Sequence, residues 1–186
     1  MNLYFIAHLL PEELNERVQK FKLMMLDCFQ CKVGLKSPAH ITFIPPYYMD
    51  PSNEKRLINE LDNFCSNQLT FEVSTSSFSS FKPRTIFIDV IQNSALKHLK
   101  ADCDHFFAQK LIDHIKTDKR SFKPHITIAT RDLKEIDFYA VYPWFEKQQF
   151  IESWQLSKLS LLKHDGRKWT ILHTSHFLSS KPISPI

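Results

Sequence analysis

The sequence predicts an α+β protein with a bilobal, pseudo-symmetric fold: two mainly antiparallel sheets flanked by helices, with a central cleft. Three observations predict it. The order strand, helix, strand occurs twice, once from residue 3 and once from about residue 85. Each occurrence ends on a His-x-Thr segment, His40-Ile41-Thr42-Phe43 and His125-Ile126-Thr127-Ile128, 85 residues apart in a chain of 186. No linker rich in Gly or Ser divides the halves, so residues 1–186 are expected to form one domain of two similar lobes packed as a unit.

Leu3 to Leu9 alternates as a strand does. Pro11-Glu12-Glu13 opens a helix, because proline suits its first turn and acids suit its positive end. Leu14, Val18, Phe21, Met25 and Cys28 follow at spacings of 4, 3, 4 and 3, an apolar stripe for packing on a sheet. The strand carrying His40 is expected to stop at Pro45-Pro46, and Ser52 to cap a second helix running through Leu57, Leu61 and Phe64. Leu69 to Ser74 and Thr85 to Ile91 read as strands, the second dense in β-branched residues. Ser94 caps a third helix with Leu96, Leu99, Cys103, Phe106 and Leu111, and the strand carrying His125 comes after it. Pro143 limits any helix within 132–149. A strand around Gln155–Lys163, an Asp165-Gly166 hairpin signal and a strand around Trp169–Phe177 complete the chain.

Composition narrows the function. Apolar residues at 43% and aromatics at 13% suit a globular core. A net charge of +4 is too modest to mark a nucleic-acid binder by itself, and it is compatible with an anionic substrate. With only Gly34 and Gly166, the chain can build neither a P-loop nor a dinucleotide fingerprint. No apolar run approaches the 18 residues of a membrane span, and Met1 to Ala7 carries no basic leader. Cys28, Cys31, Cys65 and Cys103 form no disulfide-dense framework, so a soluble, cytoplasmic monomer is expected.

The two motifs carry the chemistry. In a strand, His and Thr two apart share one face while the apolar residues between them anchor the other. A lone His-x-Thr is most often an ordinary half-buried pair, and it is the repetition that singles these out. Histidine can both give and take a proton near neutrality, so two of them can serve as base and acid in opening a phosphodiester. Threonine hydroxyls can hold the phosphoryl oxygens without competing for protons. Neither strand has a carboxylate at metal-ligand spacing, so neither a metal nor a cofactor is expected, and Cys28-Phe29-Gln30-Cys31 has no partner pair to make a zinc site. Lys119, Arg120, Lys123 and Arg131 bracket the second motif and can draw in phosphate. Tyr47 and Tyr48 follow the first and can stack on a base, with plain packing as the alternative. His8, His98, His105, His114, His164, His173 and His176 read as surface or structural residues.

The segments Ala39-His40-Ile41-Thr42-Phe43-Ile44-Pro45-Pro46 and Phe122-Lys123-Pro124-His125-Ile126-Thr127-Ile128-Ala129 resemble the paired motifs of the two-histidine (2H) phosphoesterases, the LigT-like or 2′-5′ RNA ligase superfamily. Leu3-Tyr4-Phe5-Ile6-Ala7, Phe81-Lys82-Pro83-Arg84 and Leu159-Ser160-Leu161-Leu162 are similar to that family too. The resemblance implies His40 and His125 as the catalytic pair and Thr42 and Thr127 as phosphate holders. It assigns His125 as base for water and His40 as acid to the leaving oxygen. The implied activity is metal-independent opening of a 2′,3′-cyclic phosphate on an RNA end or small nucleotide. A non-catalytic RNA or nucleotide binder and a 2′-5′ RNA ligase are the alternatives. Many members carry a basic residue five positions after the second histidine; here Thr130 stands there, with Arg131 next.

Overall fold

The structure is a computed structural model and describes residues 1–110 and 121–178. Strand β1 (Asn2–Leu9), helix α1 (Glu12–Phe29) and strand β2 (His40–Met49) come first, then α2 (Glu54–Cys65), β3 (Phe71–Phe81) and β4 (Thr85–Val90). Helix α3 (Ser94–Lys110), β5 (His125–Ala129), α4 (Glu135–Glu146), β6 (Ser153–Leu156), β7 (Lys158–His164) and β8 (Trp169–His176) complete the described chain. The strands form two antiparallel four-stranded sheets, ordered β2-β1-β7-β8 and β5-β4-β3-β6. The predicted bilobal α+β class holds, and each His-x-Thr strand is the edge of its own sheet.

The helices do not stay with the strands beside them in sequence. Helix α1, which connects β1 to β2, packs against β5 of the other sheet, and α3, which connects β4 to β5, packs against β2. This exchange comes from which faces are apolar. Phe21 of α1 lies 4.9 Å from Phe78 of β3 and 6.1 Å from Phe145 of α4, so α1 and α4 cover the second sheet. Phe64 of α2 meets Phe107 of α3 at 5.5 Å, and this pair covers the first.

Backbone contacts lock the halves together. A 3-10 turn at Val33–Lys36 lies so close to β5 that a Cβ on Gly34 would stand 2.2 Å from the Ile128 carbonyl oxygen. Only glycine fits there. The Asp132 carboxylate, just beyond β5, accepts from the Lys32 and Val33 amides at 2.7 and 2.9 Å.

Several expectations change. Strand β2 runs through Pro45-Pro46 to Met49, which an edge strand permits because a missing amide there interrupts no ladder. The register slips beside these prolines and resumes with Tyr4 opposite Tyr47. Ser52 does not cap α2: Asp50 caps the 3-10 turn Pro51–Asn53 before it, accepting the Ser52 amide at 2.9 Å, and the helix's own N-cap, Asn53, makes no side-chain cap bond. Pro143 lies inside α4; the carbonyl it leaves unpaired belongs to Tyr139, which is exposed to water. β3 extends to Phe81, and the segment expected as one strand from Gln155 to Lys163 splits at Ser157 between the two sheets. Cys28 is exposed rather than part of the stripe, and Phe107 is more deeply buried than Phe106. Leu111, His114, Lys119 and Arg120 lie outside the described residues. No described helix is long and apolar enough to cross a membrane.

Candidate active site

The edge strands β2 and β5 run side by side, within 8 Å between Cα atoms, although they belong to different sheets. His40 begins one and His125 begins the other. Across the first ladder, His40 stands opposite Leu9 and Thr42 opposite Ala7. Across the second, His125 stands opposite Asp89 and Thr127 opposite Phe87. Residues directly opposite in an antiparallel pair share a face. The site face of the first sheet is therefore that of Phe5, Ala7, Leu9 and Leu162, a cluster separate from the main core, with Trp169 packed on it.

Aromatic rings seat both imidazoles. Phe5 lies 5.0 Å from the His40 ring, while Phe87 at 5.0 Å and Phe81 at 5.2 Å flank His125. Phe87 is fully buried yet stands outside the main core, as a residue on the site face should.

The tautomers follow from the backbone. His40 Nδ1 lies 2.8 Å from the Pro38 carbonyl oxygen, and His125 Nδ1 lies 2.7 Å from that of Lys123. A carbonyl only accepts, so in each ring Nδ1 carries the hydrogen and Nε2 keeps the lone pair that titrates. Among the described residues, Nε2 of neither ring has a protein partner. His8 shows the opposite arrangement: Nδ1 donates to the Lys158 carbonyl at 2.9 Å and Nε2 accepts from Trp154 Nε1 at 2.8 Å. His8 has both nitrogens committed and is structural.

The charges around the two site imidazoles differ. His40 is lowered to about 4, chiefly by burial and in smaller part by the cations Lys22 and His125, with only the bond to Pro38 opposing them. Burial also lowers His125, but Asp89 pulls it upward while Lys123 pushes it down. The Asp89 carboxylate favours the charged form of His125, whereas the cations near His40 oppose its own.

The hydroxyls of Thr42 and Thr127 are half-buried, and among the described residues neither bonds a protein group. Arg131 is exposed at the end of β5 in the left-handed region, φ 58°, and bonds none of the four motif side chains among the described residues. Tyr47 is corrected: it is 5% exposed in the core, its ring 6.3 Å from Tyr4, so it offers no surface for stacking. Alternation explains this, since its register partner Tyr4 points to the helix-covered side.

Sequence reading missed Asp89 and Lys22. Both were detectable as charges in apolar company: Asp89 in Thr85-Ile86-Phe87-Ile88-Asp89-Val90, and Lys22 four residues after Val18 on the buried stripe. Asp62, His173 and Ser175 also meet, but His173 at 2.8 Å and Ser175 at 2.6 Å bond the same Asp62 oxygen, which clasps β8 to α2 and relays no proton to a serine. Among the described residues no three His, Cys, Asp or Glu side chains converge as a metal-ligand group.

Comparisons with known proteins give the family and the fold. The sequence model of the 2′-5′ RNA ligase superfamily matches residues 10–168, which include both motifs. A Geobacillus kaustophilus protein named as a candidate phosphoesterase is 28% identical over 141 residues, 74% of this chain and 77% of its own. The crystal structure of TT0787 of Thermus thermophilus superposes with a TM-score of 0.70 at 17% identity, covering 97% of this chain and all of that one. E. coli LigT, crystallised with 3′-AMP, gives 0.66 at 16% identity over 95% and 98% of the two chains. By sequence and by fold, this chain belongs to the 2′-5′ RNA ligase superfamily of LigT-like phosphoesterases.

Proposed function

We propose that the protein opens a 2′,3′-cyclic phosphate, on an RNA end or a small nucleotide, by metal-independent acid–base catalysis between His40 and His125. What supports this is the approach of two edge strands from different sheets to within 8 Å between Cα atoms, each carrying an imidazole whose Nε2 has no protein partner among the described residues. Family and fold support phosphoesterase or ligase-type chemistry. Crystals of E. coli LigT complexed with 3′-AMP, NADP+ and ATP support a nucleotide as the ligand.

The step balances simply. Water attacks phosphorus and gives its proton to His40 Nε2, the ring that burial and neighbouring cations keep unprotonated. The bond from phosphorus to one ribose oxygen breaks, and that oxygen takes the proton from His125 Nε2. Asp89 and the substrate's own negative charge favour a protonated His125. Thr42 and Thr127 donate to the non-bridging oxygens, and Arg131 meets the phosphates of a longer chain.

The test is incubation with 2′,3′-cyclic nucleotides, cyclic-phosphate RNA ends and 2′-5′-linked oligonucleotides, with and without EDTA, read by mass spectrometry. A monophosphate product carrying one added water, undiminished by EDTA, is expected. Joined oligonucleotides would instead make it a ligase running the reverse step through the same groups. Saturable binding without turnover would make it a nucleotide-binding protein. Loss of activity on chelation rejects the metal-free mechanism. Since His40 is lowered to about 4 and His125 falls below its ordinary 6.5, kcat/KM should peak on the acid side of pH 6.5.

A further inference from the structure

Lys22 is 2% exposed, among the most deeply buried large side chains in the molecule. It occupies the inward stripe of α1 with Leu14, Val18 and Met25. Its ammonium donates to the Ser37 carbonyl oxygen at 3.0 Å, and among the described residues no carboxylate lies within 4 Å of it. Hiding an ammonium on a single carbonyl costs stability that an apolar residue would not. Burial pulls its pKa down to about 8, yet it remains mostly charged at neutral pH. Such a residue calls for a use.

Its position supplies one. Lys22 sits where α1 meets the 3-10 turn, its Cγ 3.8 Å from the point where a Gly34 Cβ would stand against β5. Ser37, which it holds, precedes Pro38, whose carbonyl orients His40 Nδ1 at 2.8 Å. The charged or titratable groups acting on His40 are Lys22 from α1 and His125 from β5; β1 presents Leu9, which is apolar.

We propose that Lys22 is a positioning residue of the active site, tethering the segment that orients His40 and holding a buried positive charge near that imidazole. This rests on reading His40 as the base. The tether sets the angle of the ring, and the charge adds to burial in opposing its protonation. Lys22 touches neither substrate nor the reacting atoms.

Two substitutions separate the effects. Lys22→Gln keeps a donor for the Ser37 carbonyl and drops the charge, while Lys22→Met removes both. The His40 Cε1 resonance, followed by NMR against pH in the unliganded protein, should titrate about 1 higher on the pH scale in both variants. The Nδ1-protonated tautomer, read from the imidazole ¹⁵N shifts, should survive in Lys22→Gln and become mixed in Lys22→Met. Turnover of a 2′,3′-cyclic nucleotide at pH 7 should fall roughly tenfold in Lys22→Met with KM little changed. In the wild type, the His40 resonance should show a second, smaller inflection on the alkaline side as Lys22 loses its proton. This holds the proposal to account should the variants not fold.

Unchanged His40 titration in folded variants, or no second inflection in the wild type, overturns the role of Lys22. If His40→Ala still abolishes turnover in that case, the proposed function stands. If the wild type turns over no cyclic phosphate while the titrations shift as expected, the function fails and the coupling of Lys22 to His40 is established.

Discussion

The two His-x-Thr strands are alike in local geometry and unlike in electrostatics. Both rings are fixed through Nδ1 by a carbonyl two residues back, and both rest on phenylalanine. Across the ladder, however, His40 faces Leu9 and has a buried lysine nearby, whereas His125 faces Asp89. A general base must be free of its proton and a general acid must hold one, so near-identical motifs need different neighbours to divide the work. The duplicated scaffold supplies position, and the residues on the adjoining strand and helix supply the difference.

The sharpest way to break this comparison is to remove each histidine. His40→Ala and His125→Ala should each lower kcat/KM on a cyclic nucleotide by about 10²–10⁴. A p-nitrophenyl phosphodiester has a leaving group that needs no proton. On it, His125→Ala should recover most of its activity while His40→Ala stays inactive. The opposite recovery would exchange the two roles.

His8 offers a control. Buried neutral at about 4, against 6.5 in an unfolded chain, it stays unprotonated in the fold while the unfolded state takes up a proton. Its contribution is present above pH 6.5 and lost as pH falls toward 4, by about 3 kcal/mol. Urea unfolding at several pH values should show that loss, and Trp154→Phe should cost a further 1–3 kcal/mol, roughly, by leaving His8 Nε2 unpaired. The pH dependence of catalysis should be unmoved by this change, because His8 belongs to the framework.

Thr42→Ala and Thr127→Ala should each cost about 1.5–3 kcal/mol of transition-state stabilisation, the worth of a hydrogen bond to a charged group. Single-turnover rates check this, and equal losses at the two positions would show the phosphate held symmetrically. The smallest expected effect is that of Asp89→Asn. Removing the carboxylate lowers the affinity of His125 for its proton, so the alkaline limb of the pH–rate profile moves to lower pH. The rate at pH 7 should fall about threefold to tenfold. No movement of that limb would remove Asp89 from the account.

Periodicity makes most of the elements legible in the chain, because alternation and the 3.6-residue stripe are local. Proline misled twice: Pro45-Pro46 lies on an edge strand and Pro143 leaves unpaired only the carbonyl of Tyr139, an exposed residue, and neither context is visible in a window of residues. Tyr47 misled for a related reason, since its face depends on the register of β2 against β1.

By itself the sequence determined the duplicated strand–helix–strand unit, the four motif side chains and the apolar faces that must be covered. Only the tertiary structure decided that α1 and α3 exchange sheets, that β2 and β5 become neighbouring edges, and that Asp89 and Lys22 stand beside different histidines. Those outcomes depend on packing between segments far apart in the chain, and a charge acts on an imidazole through distance in space.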